Sequence, residues 1–369
     1  MKKLFSLLGV AVAISFSSCD EINTFVMEDH QGAFILNKGS DKSNVSYYNY
    51  ERETVTNNYF QLKNSSIGMS NDAHTMAIRK GSDYPKGKAF IVYPEDNNIS
   101  MINLNGYVSA GDIEEYTKPT DILLVKEDVA YISATGSEGK GMVYEYDFEN
   151  SKELMSFEVA KEPLKMISSG KHLYVACTND EEGAKVFVID MTNSVKVDTV
   201  DLAYANPIDM VVDIDRNVWV YCAGESDALV KLNYEFVTET LDVDTETERD
   251  TTYITNEPIA FELGSKKEER ANPLTISEDG RILYYVYGKL SSNSVYIEDN
   301  EDLSQEAIVS GDYQAEAFNS INYDSRTNRI MALASNGKLV VLKDYGSTGW
   351  SNEEVYDIGS NPLITTFNY

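Results

Sequence analysis

The chain has 369 residues, 42 % of them hydrophobic, so it can bury a sizeable core, and by length alone it could hold two or three domains. Sixty acids against 31 bases give a formal charge of −29, which excludes nucleic-acid binding through a basic footprint and disfavours anionic lipid head groups. Twenty-five tyrosines and frequent β-branched residues favour strands.

The first 18 residues read as an export address. Lys2 and Lys3 form a positive start, Leu4–Phe16 an apolar stretch and Ser17–Ser18 a small-residue cleavage site. The apolar stretch falls short of the roughly 20 residues of a spanning helix. Cys19 follows at once, and Phe-Ser-Ser-Cys resembles a bacterial lipobox, with Phe16 where Leu is usual. The alternative is an ordinary exported cysteine. A lipid on Cys19 would anchor the chain without any spanning segment. Asp20 and Glu21 resemble the surface-export signal of gut-type Gram-negative lipoproteins. The expectation is a signal peptide over 1–18, a lipidated tether over 19–31 and one folded domain over 32–369. The location expected is the outer membrane, at the cell surface, touching the membrane through the lipid alone.

The folded part opens with GAFILN (Gly32–Asn37), NVSYYNY (Asn44–Tyr50) and ETVTNNYF (Glu53–Phe60), three strand-like runs with no strand before them. Complete units follow. Lys118–Asp190 states the pattern twice, from Pro119 and from Pro163, with third runs ending in Asp147 and Asp190. Unit starts fall near 73, 119, 163, 207, 273, 318 and 362. The fifth unit carries an acidic, Thr-rich insertion, Leu241–Pro258, read as an extended hairpin or projecting loop. The sixth has a loose fourth run, EAIVSGDY. The chain ends on NPLITTFNY, which reads as the first strand that the opening unit lacks.

Four strands per 40–45 residues mark β-propeller blades. The fold class expected is all-β, a seven-bladed propeller of four-stranded blades, with the first blade completed by the N- and C-terminal strands together. Closure hides the two edges that a linear β-solenoid would leave.

No HExxH, GxSxG or Gly-rich phosphate loop is present, so no catalytic set, metal site or cofactor is assigned, and the chain reads as a non-enzyme. His172 reads as part of a surface turn. The run Asp242, Asp244, Glu246, Glu248 lacks the Gly and terminal Glu of a calcium loop and reads as a solvated strand face. Cys177 and Cys222 occupy matching places in neighbouring repeats. Such a pair in an exported chain can be a disulfide, but that spacing usually exceeds the Cα–Cα limit of about 7 Å. Two small buried residues is the reading preferred.

In a propeller, the links between units and the loops between strands two and three share one face around a central hollow, the kind of concavity that ligands prefer. The candidates there are Tyr116, Tyr204 and Tyr313 with Asn206 and Asn272 on the links, and Asn37, Tyr93, Asn179 and Asn336 on the other loops. His74, at the start of a first strand, joins them. The rings can stack on a flat ligand and the amides can bond its rim. The alternative is that Asn-Pro pairs simply make turns.

GAFILNKGSDKSNVSYYNY resembles the opening blade of the YncE-like seven-bladed propeller lipoproteins. Gly32, Phe34, Leu36, Asn37 and Gly39 match, while Lys38 stands where Glu is frequent and Ser40 where Asn is. The BtuG-type branch looks similar in signal, lipobox and first blade. That resemblance implies a cell-surface protein that captures cobalamin or a related corrinoid and passes it to a TonB-dependent outer-membrane transporter. An acidic protein suits a ligand without surplus negative charge. Two other readings stand beside it: a surface propeller that binds a glycan or a protein, and an enzyme such as a lactonase.

Overall fold

The computed structural model describes residues 31–79, 87–126, 128–178, 183–192, 195–232, 235–242, 247–253, 257–265, 270–309, 317–344 and 350–368. Residues 1–30, which hold the signal, Cys19 and all of the tether but Gln31, lie outside these residues, as do the candidates Asn179 and Tyr313.

Seven antiparallel sheets form the blades of a closed ring. Their innermost strands are Pro362–Asn368, Thr75–Arg79, Thr117–Leu124, Pro163–Ser169, Pro207–Val212, Leu274–Ile276 and Phe318–Asp324. Each touches the next in that order, and the last returns to the first. Blade 1 joins both ends of the chain: Pro362–Asn368 pairs with Gly32–Asn37, followed outward by Asn44–Asn49 and Thr54–Thr56. The terminal strand closes the ring, as the repeat count requires.

Second strands are buried along most of their length, and His172–Cys177 and Val218–Ala223 along all of it. A strand buried on both faces sends alternate residues into different cores. In blade 4, Leu173, Val175 and Cys177 pack against blade 3, while Tyr174 and Ala176 pack against blade 5. Seven such cores fill the seven gaps between blades. Cys177 belongs to the gap between blades 3 and 4, and Cys222 to the gap between blades 4 and 5. Both are free and buried, so the two thiols are separated by a sheet.

Three local readings are refined. The third run of blade 1 is a strand only over Thr54–Thr56; Tyr59–Lys63 is a short helix behind Asn58, whose φ is 54°. A strand would point one of Tyr59 and Phe60 outward, whereas the helical turn buries both against Tyr107. The fourth strand expected in blade 6 does not form over 306–309; Ile308 N–H donates instead to Leu290 O at 2.9 Å. Leu303 and Val309 plug the space as loop residues. His172 is no surface turn: it starts the second strand of blade 4 and is buried.

The insertion in blade 5 is a hairpin, Glu235–Asp242 paired with Thr247–Tyr253, in a sheet of its own. The blade closes without it, because Ser226–Leu232 pairs directly with Ile259–Ser265. Among the described residues, no helix is long and apolar enough to cross a membrane.

Candidate functional site

The ring leaves a cavity of about 180 Å³ on its axis. Inner strands and links of six blades line it, with His74, Asp121, Lys165, Arg270, Asn272 and Leu363 among them. It meets a wider one of about 630 Å³ at Arg270, Ala271 and Leu363. Lys38, Gly39, Ser40 and Ser335 from strand two–three loops and Asn71 and Asn361 from links line the wide part. Both therefore lie on the loop-rich face.

Three charged residues at the axis follow from the repeat itself. Blades 3, 4 and 5 begin Pro119-Thr120-Asp121, Pro163-Leu164-Lys165 and Pro207-Ile208-Asp209, so the second residue after each proline is charged. Asp121 and Asp209 also tie blades together. Asp121 Oδ2 accepts Met166 N–H at 2.8 Å, and Asp209 Oδ2 accepts Leu274 N–H at 3.0 Å. In the same manner Thr275 Oγ1 accepts Tyr323 N–H, and Asn322 Oδ1 accepts Thr365 N–H. These bonds satisfy inner-strand amides that would otherwise face the channel.

Lys165 Nζ donates to Asn272 Oδ1 at 3.1 Å and lies 4.0 Å from Asp209 Oδ1. Burial works against its ammonium, but Asp121 and Asp209 outweigh that and hold its pKa above the ordinary value. Burial pushes the Asp209 carboxyl up to about 6, with Lys165 pulling the other way. His74 keeps solvent contact through the cavity although protein surrounds it on the other sides. That enclosure lowers its pKa; Asp121 opposes the shift and Lys165 adds to it, so the ring is neutral at pH 7.

Arg270 is fixed on the wall. Its Nη1 donates to Asp227 Oδ2 at 2.5 Å and to Tyr221 O–H at 2.9 Å, and the guanidinium lies against the Tyr221 and Tyr287 rings. Its charge is matched by Asp227. Among the described residues, those lining the wide cavity include no carboxylate. The described lining of the mouth is thus amide-rich and neutral to basic, although the molecule as a whole is acidic.

Of the sequence candidates, His74 and Asn272 line the axial cavity. Tyr93 lies elsewhere, in a cleft of about 350 Å³ between blades 1 and 2, and is buried. Tyr116 packs in the core between blades 2 and 3 against Tyr144, and burial raises its pKa. Asn37 is fully buried, donating to Asn44 Oδ1 and Ser46 Oγ. Asn206 has φ 56° and donates to Ala223 O, so it shapes its turn. Tyr204 is half-buried, its hydroxyl 3.5 Å from Glu262 Oε2, and Asn336 is exposed in its loop. Asp121, Lys165, Asp209 and Arg270 were not among the candidates. The signal for the first three was available: a charge two residues after proline in an otherwise apolar inner strand.

No protein-family profile matches the chain, and no curated protein matches it. Solved structures are similar in fold. A quinonprotein alcohol dehydrogenase-like protein from Bacteroides thetaiotaomicron aligns with a TM-score of 0.60 at 14 % identity, over 92 % of this chain and 79 % of that one. A functionally unknown protein from Desulfotomaculum acetoxidans aligns with a TM-score of 0.54 at 11 % identity, over 89 % and 99 %. The computationally designed Ika8 protein gives 0.53 at 11 %, over 93 % and 92 %. At such identities the likeness is one of fold, which hosts many unrelated functions.

Proposed function

We propose that this chain is a lipid-anchored surface protein that binds a corrinoid on its loop-rich face and passes it to a TonB-dependent outer-membrane transporter. The observation that carries the reading is the stepped concavity on that face. A cavity of about 630 Å³ narrows into one of about 180 Å³ on the ring axis. A broad ligand with a protruding arm suits that shape. Asn71, Asn319 and Asn361 line the wide part; Nδ2 of Asn319 and of Asn361 bonds Pro362 O and Gly39 O, which leaves their amide oxygens to accept from a rim of carboxamide groups. Binding needs no chemistry from the chain, and the open mouth leaves one side of the ligand free for transfer.

The test is titration of the purified mature protein with cyanocobalamin. Saturable binding at micromolar ligand, seen as a visible-absorbance change and a raised melting temperature, is expected. No change in either signal overturns the reading and leaves a glycan or protein ligand to be sought on the same face.

A further inference from the structure

We propose that the axial cavity is a subsite for one primary carboxamide arm of the ligand, with Asp121 and Lys165 as its two recognising groups. The inference rests on the ligand-binding reading above and adds the chemistry that the cavity selects.

Asp121 is 5 % exposed and lines the cavity. One of its oxygens, Oδ2, accepts Met166 N–H; the other, Oδ1, makes no hydrogen bond among the described residues. That oxygen opens onto the cavity, so its donor must come from what the cavity holds. Lys165 offers the complementary group. Its ammonium has three N–H donors, of which one bonds Asn272 Oδ1, while Asp209 Oδ1 at 4.0 Å is beyond hydrogen-bond reach. The cavity thus presents a vacant acceptor and vacant donors.

A primary carboxamide has the matching pair, an NH₂ that donates and a carbonyl that accepts. At about 180 Å³ the cavity has room for such a group together with water. A carboxylate is the wrong partner. Asp121 and Asp209 both act on the one Lys165 ammonium, and the Arg270 charge on the same wall is matched by Asp227, so an added negative charge meets a surplus of its own sign. A bare ammonium would suit Asp121 but would leave the Lys165 donors unused and set two cations together.

The probes are propionamide and propionate, which differ in this group alone, titrated into the mature protein by saturation-transfer NMR. Wild type is expected to hold propionamide about tenfold more tightly than propionate, the size of one charge-assisted hydrogen bond. In Asp121→Asn the new amide can still accept Met166 N–H and turns an N–H₂ into the cavity, so the preference should reverse. Equal binding of the two probes by wild type, or a preference for propionate, overturns the subsite. Should Asp121→Asn fail to fold, the wild-type ratio decides by itself, and Lys165→Met should then weaken propionamide about tenfold. The same samples titrated with cyanocobalamin separate the two proposals. Discrimination between the probes without cyanocobalamin binding removes the corrinoid and keeps the subsite. Cyanocobalamin binding without discrimination removes the subsite and keeps the corrinoid.

Discussion

Asp209 is a buried carboxylate whose charge the fold supports only in part. Two backbone N–H groups, from Met210 and Leu274, point at it, and Lys165 stands 4.0 Å away, yet burial still pushes its pKa up to about 6. Unfolded, it would titrate near 4. Between those values the folded chain holds a proton that the unfolded chain has lost. Stability from this group therefore falls as pH rises from about 4 to 6 and is level above that, a change of roughly 3 kcal/mol. His74 opposes it, since its lowered pKa costs stability as pH falls through the ordinary histidine range. The difference between wild type and Asp209→Asn isolates the carboxyl, because the amide oxygen can still accept Leu274 N–H. Urea melts at pH 4.5, 5.5 and 7 should show the variant gaining on wild type at each step; parallel curves would sink this account of Asp209. The same residue shows what could be read beforehand. Its spacing from Pro207 was plain, but the partner N–H of Leu274 lies 65 residues on, across a blade gap, and no local pattern shows that. Asn206 is the converse case. Its amide drew attention as a ligand group, yet it sits at positive φ directly before a proline, as do Lys118, Glu162 and Asn361 at three other blade starts. Asn tolerates that conformation better than most residues.

Blade boundaries were legible because each blade repeats the same alternation and the same proline, so starts read near 119, 163 and 207 agree with strands beginning at Thr117, Pro163 and Pro207. Elements that break the repeat were less so. EAIVSGDY has the composition of a strand, but the polar stretch before it turns at Glu298–Glu301 and brings Leu303 and Val309 in as a plug. The Tyr59–Lys63 helix exists because two adjacent aromatics are both needed in one core, a tertiary demand that strand periodicity hides. The closing strand allows a sharper test. Pro362–Asn368 pairs along Gly32–Asn37, buries Ile364, and accepts side-chain bonds from Asn272 and Asn319. Several ladder bonds at about 1 kcal/mol each and a buried isoleucine at about 2 kcal/mol are comparable to the whole stability of a domain, about 5–15 kcal/mol. A chain ending at Ser360 should lose cooperative melting and expose the edge of Gly32–Asn37 to aggregation. A synthetic peptide of residues 361–369 added in trans should restore the melt. A truncated chain that melts like wild type would mean that six blades and a partial seventh hold the ring without it.

At the scale of the whole molecule, the chain enters the ring on the side away from its cavities. Gly32–Asn37 runs from its start to the loop of Lys38, Gly39 and Ser40, which lines the wide cavity, so Gly32 lies at the opposite face. The strand between them rises about 20 Å. If Cys19 carries the lipid, thirteen residues, 19–31, connect the membrane to that far face. Fully extended they reach about 45 Å. That is enough to pass round the rim and let the cavities turn toward a transporter in the same membrane, with little to spare. Removing residues 23–30 leaves about 17 Å, less than the strand alone, and holds the cavities outward. Purified protein with this deletion should bind cyanocobalamin as wild type does, because no residue of the cavities is touched. In cells, corrinoid uptake through the transporter should fall toward the level of a strain lacking the protein. Restoring the length with an unrelated Gly/Ser sequence should recover uptake, since reach and not side chains is what the step requires. Undiminished uptake with the short tether would show that the ligand leaves from a face already turned away from the membrane, and would overturn the transfer half of the proposed function while leaving the binding half intact.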